Sequence, residues 1–143
     1  TFKLLKPLLA DYESYLKEHG EIDFDDMIGK AIQYVKAGKF KGNWKYILVD
    51  EFQDISEPRA RLIQYLRDSA AECSLFCVGD DWQAIYRFAG SDIEYILEFE
   101  KYWGPTELSK IETTYRFGRR LAEISGKFVM QNPRQIRKSI RGL

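Results

Sequence analysis

The sequence has little of what gives a small protein a covalent or metal-bound frame. It holds two cysteines, Cys73 and Cys77, and a single histidine, His19, among 143 residues. Thiols in and just before an apolar run read as reduced, buried core residues rather than as a bridge. With one imidazole they do not supply the ligands of a zinc site. No apolar stretch approaches the roughly 18 residues of a membrane span, and the Lys- and Leu-rich opening lacks a signal-peptide cleavage pattern. No membrane partner is expected, and the natural setting suggested is cytosolic. Net charge is absent too, with 22 Lys and Arg against 22 Asp and Glu, so the global balance is silent about nucleic acid. No segment repeats or is low in complexity. The most telling absence is the Gly-x-x-x-x-Gly-Lys-Ser/Thr loop whose backbone cradles nucleotide phosphates.

What is present suits one globular core: 45% of the residues are hydrophobic. Charge is distributed unevenly. From Arg116 onward there are eight basic residues and one acid, Glu123, while the preceding part carries a net charge of minus seven. A basic tail on an acidic body fits either a surface that tracks a nucleic-acid backbone or docking onto a neighbouring element.

Helical spacing of Leu5, Leu8, Leu9, Tyr12, Tyr15 and Leu16 predicts a first helix ending at Gly20. Asp23 caps a second, whose stripe is Phe24, Met27, Ile28, Ala31, Ile32 and Val35. Both stripes read as core. Strands are expected at Tyr46 to Val49 and about Ser74 to Val78, separated by a helix with Ser56 as cap and Pro58 in its first turn. That spacing suits a buried parallel pair. Trp82 to Phe88 reads as a short helix or turn, Asp92 caps a helix carrying Ile93, Ile96 and Leu97, and Gly104-Pro105 is a break. A short strand at Glu107 to Glu112 and a helix carrying Leu121, Ile124, Phe128 and Val129 follow. The last ten residues are expected to fray or to continue elsewhere.

Three clusters carry chemistry. Asp50 and Glu51 end the first strand, where open α/β sheets place their ligands. One carboxylate can hold magnesium while the other orients a water and takes its proton; the plainer alternative is a solvated acid pair. Gln53 can bond that water or a phosphate oxygen. Beyond the second strand, Gly79 allows a tight turn that lets Gln83 approach a terminal phosphate. Next to it Trp82, Tyr86, Arg87 and Phe88 combine rings with a cation, the combination that holds unpaired bases and their backbone, although Trp82 could instead pack under the sheet edge. Finally, Tyr115 can lie against a nucleobase while Arg116 forks onto phosphate oxygens, or Arg116 is an ordinary surface ion-pair partner.

Read together, DEFQD at Asp50 to Asp54, GDDWQAIYRFAG at Gly79 to Gly90 and TTYRF at Thr113 to Phe117 resemble consecutive motifs (II, III and IV) of the UvrD/Rep branch of superfamily 1 helicases. EIDFDDMI at Glu21 to Ile28 is similar to the segment by which that family re-enters its first motor domain. The resemblance spans nearly the whole chain. It implies a partial RecA-like P-loop NTPase fold, α/β in three αβα layers: residues 1–104 as the C-terminal half of the first RecA-like motor domain, and 105–143 as the start of the second. It implies that Asp50 associates with Mg2+, that Glu51 is the general base for ATP hydrolysis, and that Gln83 senses the γ-phosphate. Tyr86 and Phe88 match positions that meet single-stranded DNA, Tyr115 the ring on adenine, and Arg116 a γ-phosphate contact. Ala89 departs from the Arg of many members, which puts that one contact in doubt. The implied whole is an ATP-dependent DNA helicase moving 3' to 5' on single-stranded DNA. This chain is then a piece of it, partnered by the remaining helicase domains and inactive alone. Rival readings are a nucleic-acid-binding module without ATPase role and the motor part of a helicase-nuclease repair subunit.

Overall fold

The computed structural model describes residues 2–143. Two long helices come first, α1 (Phe2–His19) and α2 (Phe24–Lys36). As expected, Asp23 caps α2, its carboxylate accepting from the Asp26 N–H at 2.8 Å. Then follow β1 (Tyr46–Val49), α3 (Glu57–Asp68) and β2 (Ser74–Cys77). β1 and β2 pair in parallel, with Tyr46 opposite Ser74 and Val49 opposite Cys77. Two short helices, α4 (Glu94–Leu97) and α5 (Phe99–Trp103), come next, and then β3 (Thr113–Thr114), α6 (Arg119–Val129) and β4 (Arg141–Gly142). No described helix is long and apolar enough to cross a membrane.

The strand alternation decides where the core lies. Ile47, Val49, Leu75 and Cys77 share one face and are half-buried, whereas Tyr46, Leu48 and Phe76 on the other are exposed. On the covered side Phe52, Ile55, Ala60, Tyr95 and Trp103 form the buried centre, with Ile63, Ile96, Phe99 and Tyr102 packed around it. Phe52 meets Trp103 edge-on, centroids 5.8 Å apart, and Phe99 at 5.6 Å. Such pairs contribute about 0.5–1.5 kcal/mol each beyond the area they bury. The Arg67 guanidinium, stacked near Trp103, donates to its carbonyl oxygen at 2.9 Å and ties α3 to the end of α5.

Four expectations are corrected. The strand pair is covered on one face only, although parallel sheets are normally sandwiched. The stripe of α1 is not core: Leu5, Leu8, Leu9, Tyr12 and Tyr15 are all exposed, as are Phe24 and Met27 of α2. Residues 107–112 form no strand, and the strand lies just beyond them at Thr113–Thr114. The closing residues do not fray, because Arg141–Gly142 pairs in parallel with that strand. Gly142 there lies so close to Gly118 that an added Cβ would sit 2.5 Å from the Gly118 carbonyl carbon.

Candidate nucleotide and nucleic-acid site

The site begins where β1 stops. Asp50 follows the last strand residue, and its Oδ1 accepts the Glu51 N–H at 2.8 Å. Glu51 has φ 50° and ψ 43°, making it the one described non-glycine residue with positive φ. A left-handed conformation costs an L-residue about 1–2 kcal/mol, so the neighbours must impose it. They do so from the next two positions. Phe52, 1% exposed, is anchored in the core, and its N–H donates to the Val78 carbonyl at 2.9 Å.

Gln53 is the second anchor, and it is buried to 2% exposure. Its Nε2 donates to Glu51 Oε2 at 2.7 Å and to Asp54 Oδ2 at 3.4 Å, while its Oε1 accepts the Asp80 N–H at 2.9 Å. Donors at one end and an acceptor at the other fix the amide orientation. The sequence reading gave Gln53 to water or phosphate. Instead its amide is committed to the protein, clamping the loop after β1 to the loop after β2. Gly79 makes that approach possible: a Cβ there would lie 2.9 Å from Gln53 Oε1 and 3.1 Å from Ile96 Cδ1.

The clamp leaves a cleft of about 510 Å³ between the two loops, lined by Glu51, Gln53, Asp54, Trp82, Gln83, Ile85 and Tyr86. Asp54 Oδ1 is buried there without a hydrogen-bond partner. Among the described residues no three His, Cys, Asp or Glu gather around a cation. Magnesium needs no such cage; it keeps several waters and takes one or two carboxylates plus phosphate oxygens. Asp50 is exposed at the strand end and outside the cleft lining, with one oxygen not engaged by Glu51, and the orphaned oxygen of Asp54 lies in the cleft; each is a single carboxylate of the kind that requirement takes.

On the β2 side, Asp80 caps the turn Asp81–Gln83: Oδ1 accepts the Trp82 N–H at 3.1 Å and Oδ2 the Gln83 side-chain amide at 2.7 Å. Partial burial pushes the Asp80 carboxyl up. Hydrogen bonds from Gln83 and Lys138, the Lys138 charge and the Trp82 N–H outweigh it and hold the group below its usual range. Asp81, 2% exposed, accepts from the Ile136 N–H at 2.7 Å and from Lys138 Nζ at 2.8 Å. Of the basic residues after Arg116, Lys138 is bound to this acid pair. Sequence gave no signal for that, since the partners lie 57 and 58 residues apart.

The aromatic cluster divides. Tyr86 and Phe88 stand together, ring centroids 6.0 Å apart, with Phe88 87% exposed. Arg87 is exposed between them. Trp82 is half-buried and tied to the chain beyond α6: its Nε1 donates to the Ile136 carbonyl at 3.3 Å and its ring faces Lys138 Nζ at 4.8 Å. Tyr115 and Arg116 follow β3, both exposed and outside the cleft lining. The Arg116 N–H reaches Thr114 Oγ1 at 3.4 Å, and no ion pair holds its guanidinium among the described residues. Of the two thiols, Cys77 is driven up to about 12 by burial against the core.

Comparison with known proteins shows what the chain is similar to. The chain is 44% identical over 141 residues to DNA helicase IV of Escherichia coli, covering 99% of this chain and 21% of that protein. It is 29% identical over 143 residues to the ATP-dependent DNA helicase PcrA of Bacillus subtilis, covering 96% and 19%. It is 30% identical over 134 residues to the ATP-dependent DNA helicase Rep of Buchnera aphidicola, covering 90% and 20%. The chain thus spans about a fifth of the length of these curated relatives. The model of the UvrD/REP helicase N-terminal domain matches residues 2–103, and the chain belongs to that family.

Proposed function

We propose that this chain is part of the motor of an ATP-dependent DNA helicase, and that the cleft between the β1 and β2 loops is its share of the hydrolytic site. The observation that carries this reading is the Gln53 clamp, which sets Glu51 and Gln83 on one cleft. Glu51 presents a carboxylate with one oxygen held by Gln53, leaving the other to orient a water and accept its proton. Asp50 would hold Mg2+, which when bound supplies charge neutralisation to the phosphate oxygens. Gln83 faces the same space from the β2 side. Tyr115 and Arg116 reach the nucleotide only if the β3–α6 part moves or another domain completes the site. Exposed Tyr86 and Phe88 with Arg87 form a platform for unpaired bases, each stack contributing roughly 1–3 kcal/mol.

The same reading makes 1–104 the latter half of a RecA-like domain and 105–143 the opening of a second. The bare sheet face of Tyr46, Leu48 and Phe76 supports it, because a RecA-like sheet is covered on both sides. Movement 3' to 5' along single-stranded DNA belongs to the whole protein, as does a cytosolic setting. The chain alone is inactive, because it has no phosphate-binding loop and transfer needs groups on both sides of the triphosphate. The test is ATP turnover by the purified chain with single-stranded DNA: none is expected, and a DNA-stimulated rate like that of the full-length parent would refute the reading. In the parent, Phe88→Ala should weaken DNA affinity and DNA stimulation while basal hydrolysis stays near normal. Loss of basal hydrolysis with full DNA affinity would remove the platform assignment.

A further inference from the structure

Lys138 is a basic side chain in a strongly acidic place. Its side chain is 12% exposed, and its ammonium bonds Asp80 Oδ1 and, at 2.8 Å, Asp81 Oδ1. Asp81 is 1% exposed at the side chain, so it has little water to screen it from its neighbour. The two adjacent carboxylates thus share one ammonium, and the buried one has no other cation among the described residues. The Lys138 ammonium also lies over the Trp82 ring, 4.8 Å from its centroid, and the Trp82 indole and the Asp81 carboxylate both bind the backbone of Ile136. Residues 136–138 are therefore fastened to the β2 loop by two backbone contacts and one buried charge.

The other oxygen of Asp80 is the only partner that the described residues give the Gln83 side-chain amide. Gln83 is exposed at the cleft and has three side-chain torsions free to turn, so this single acceptor decides where it points. Asp80 in turn is held in position by the Lys138 ammonium, which bonds its other oxygen directly. We propose that Lys138 is a positioning residue for Gln83: it bonds Asp80 and Asp81 together, holds the Asp80 carboxylate in place as the acceptor of the glutamine amide, and so fixes Gln83 at the cleft. Displacing residues 136–138 from the loop releases Gln83, which makes the segment beyond α6 a control on the β2 side of the site. The functional meaning rests on the proposed role of Gln83; the positioning itself does not.

The experiment uses the 143-residue chain, labelled with 15N, and follows the Gln83 side-chain amide. Lys138→Met keeps an unbranched side chain and removes the charge; Lys138→Arg keeps a charge. Lys138→Met combined with Asp81→Asn removes the buried unpaired carboxylate and keeps the chain folded if the single variant unfolds. The expected result is a Gln83 amide distinct from a free glutamine in the natural chain and in Lys138→Arg. It should collapse to free-glutamine shifts in Lys138→Met, while the amides of α3 and α6 stay dispersed. A folded Lys138→Met chain with an unchanged Gln83 amide overturns the proposal, as does an unchanged amide in the folded double variant. Turnover of the full-length parent carrying Lys138→Met separates the two readings. With Gln83 displaced, kcat should fall at little change in KM. Displacement with kcat unchanged leaves the positioning standing and removes the role of Gln83.

Discussion

Replacing Gln53 by Met tests the clamp directly. Methionine is unbranched and of similar volume, so little cavity or overpacking cost is added. What disappears is the amide. The Asp80 N–H loses its acceptor at 2.9 Å in a half-buried site. An orphaned buried donor costs about 1–3 kcal/mol. Glu51 loses a 2.7 Å partner but is exposed and is rehydrated, so its share is small. The bond to Asp54 is long, at 3.4 Å, and also contributes little. The sum is about 2 kcal/mol, and at this chain length 1 kcal/mol moves Tm by roughly 4 °C, so Tm should fall by about 8 °C. Differential scanning calorimetry of the chain reads it. A fall of less than about 2 °C would mean that the two loops are not held by this side chain. Gln53→Glu gives a second arm, since it sets a new carboxylate against Glu51 and Asp54. Like charge and burial raise the new group's pKa in the folded state, so its penalty is full near neutrality. The penalty should fade as pH falls toward the ordinary glutamate value of about 4.3.

Gly79→Ala should destabilise the chain by about 1–3 kcal/mol, because the added Cβ would meet Gln53 Oε1 at 2.9 Å and Ile96 Cδ1 at 3.1 Å; urea unfolding measures it. Asp80 is held below the ordinary carboxylate range by its hydrogen bonds and Lys138, against the upward push of burial, so its contribution is intact above an unfolded value of about 3.9. That contribution should be lost as pH falls through the lower folded value, with the Trp82 indole N–H losing its protection there and losing it at higher pH in Lys138→Met; equal midpoints would refute it. With Cys77 pushed up to about 12, a disulfide reagent at pH 8 should label Cys73 first and Cys77 only on unfolding, as peptide mapping would show.

The sequence made the local features legible and hid those that depend on distant partners. Asp23, the two strands and their parallel pairing follow from capping chemistry and from apolar runs separated by one helix, and the structure has them. Ser56 does sit at the N-terminus of α3, yet its hydroxyl makes no capping bond. The Asp50–Glu51 pair was visible as acids after a strand, but not the left-handed Glu51, because φ is set by how Phe52 and Gln53 are buried. Gln53 itself illustrates the limit: an amide among carboxylates looks like a ligand contact until the Asp80 N–H is found across from it. The tail was misjudged for the same reason, since Arg141–Gly142 and Lys138 are anchored by Thr113–Thr114 and the acid pair rather than by any apolar periodicity of their own. The stripe on α1 shows the converse: amphipathic spacing marks a face able to be buried, not one that is buried here.

The central claim is that Glu51 takes the proton of the attacking water while the rest of the cleft holds the nucleotide. Its most direct test is Glu51→Gln in the full-length parent, with nucleotide affinity and single-turnover hydrolysis measured on the same preparation. The substitution keeps volume and the Gln53 contact region but removes the proton acceptor. Hydrolysis should fall by roughly a hundredfold to ten-thousandfold with the affinity for ATP and magnesium nearly unchanged. A variant that hydrolyses ATP at close to the natural rate, or one that loses nucleotide binding in proportion to turnover, would contradict the account.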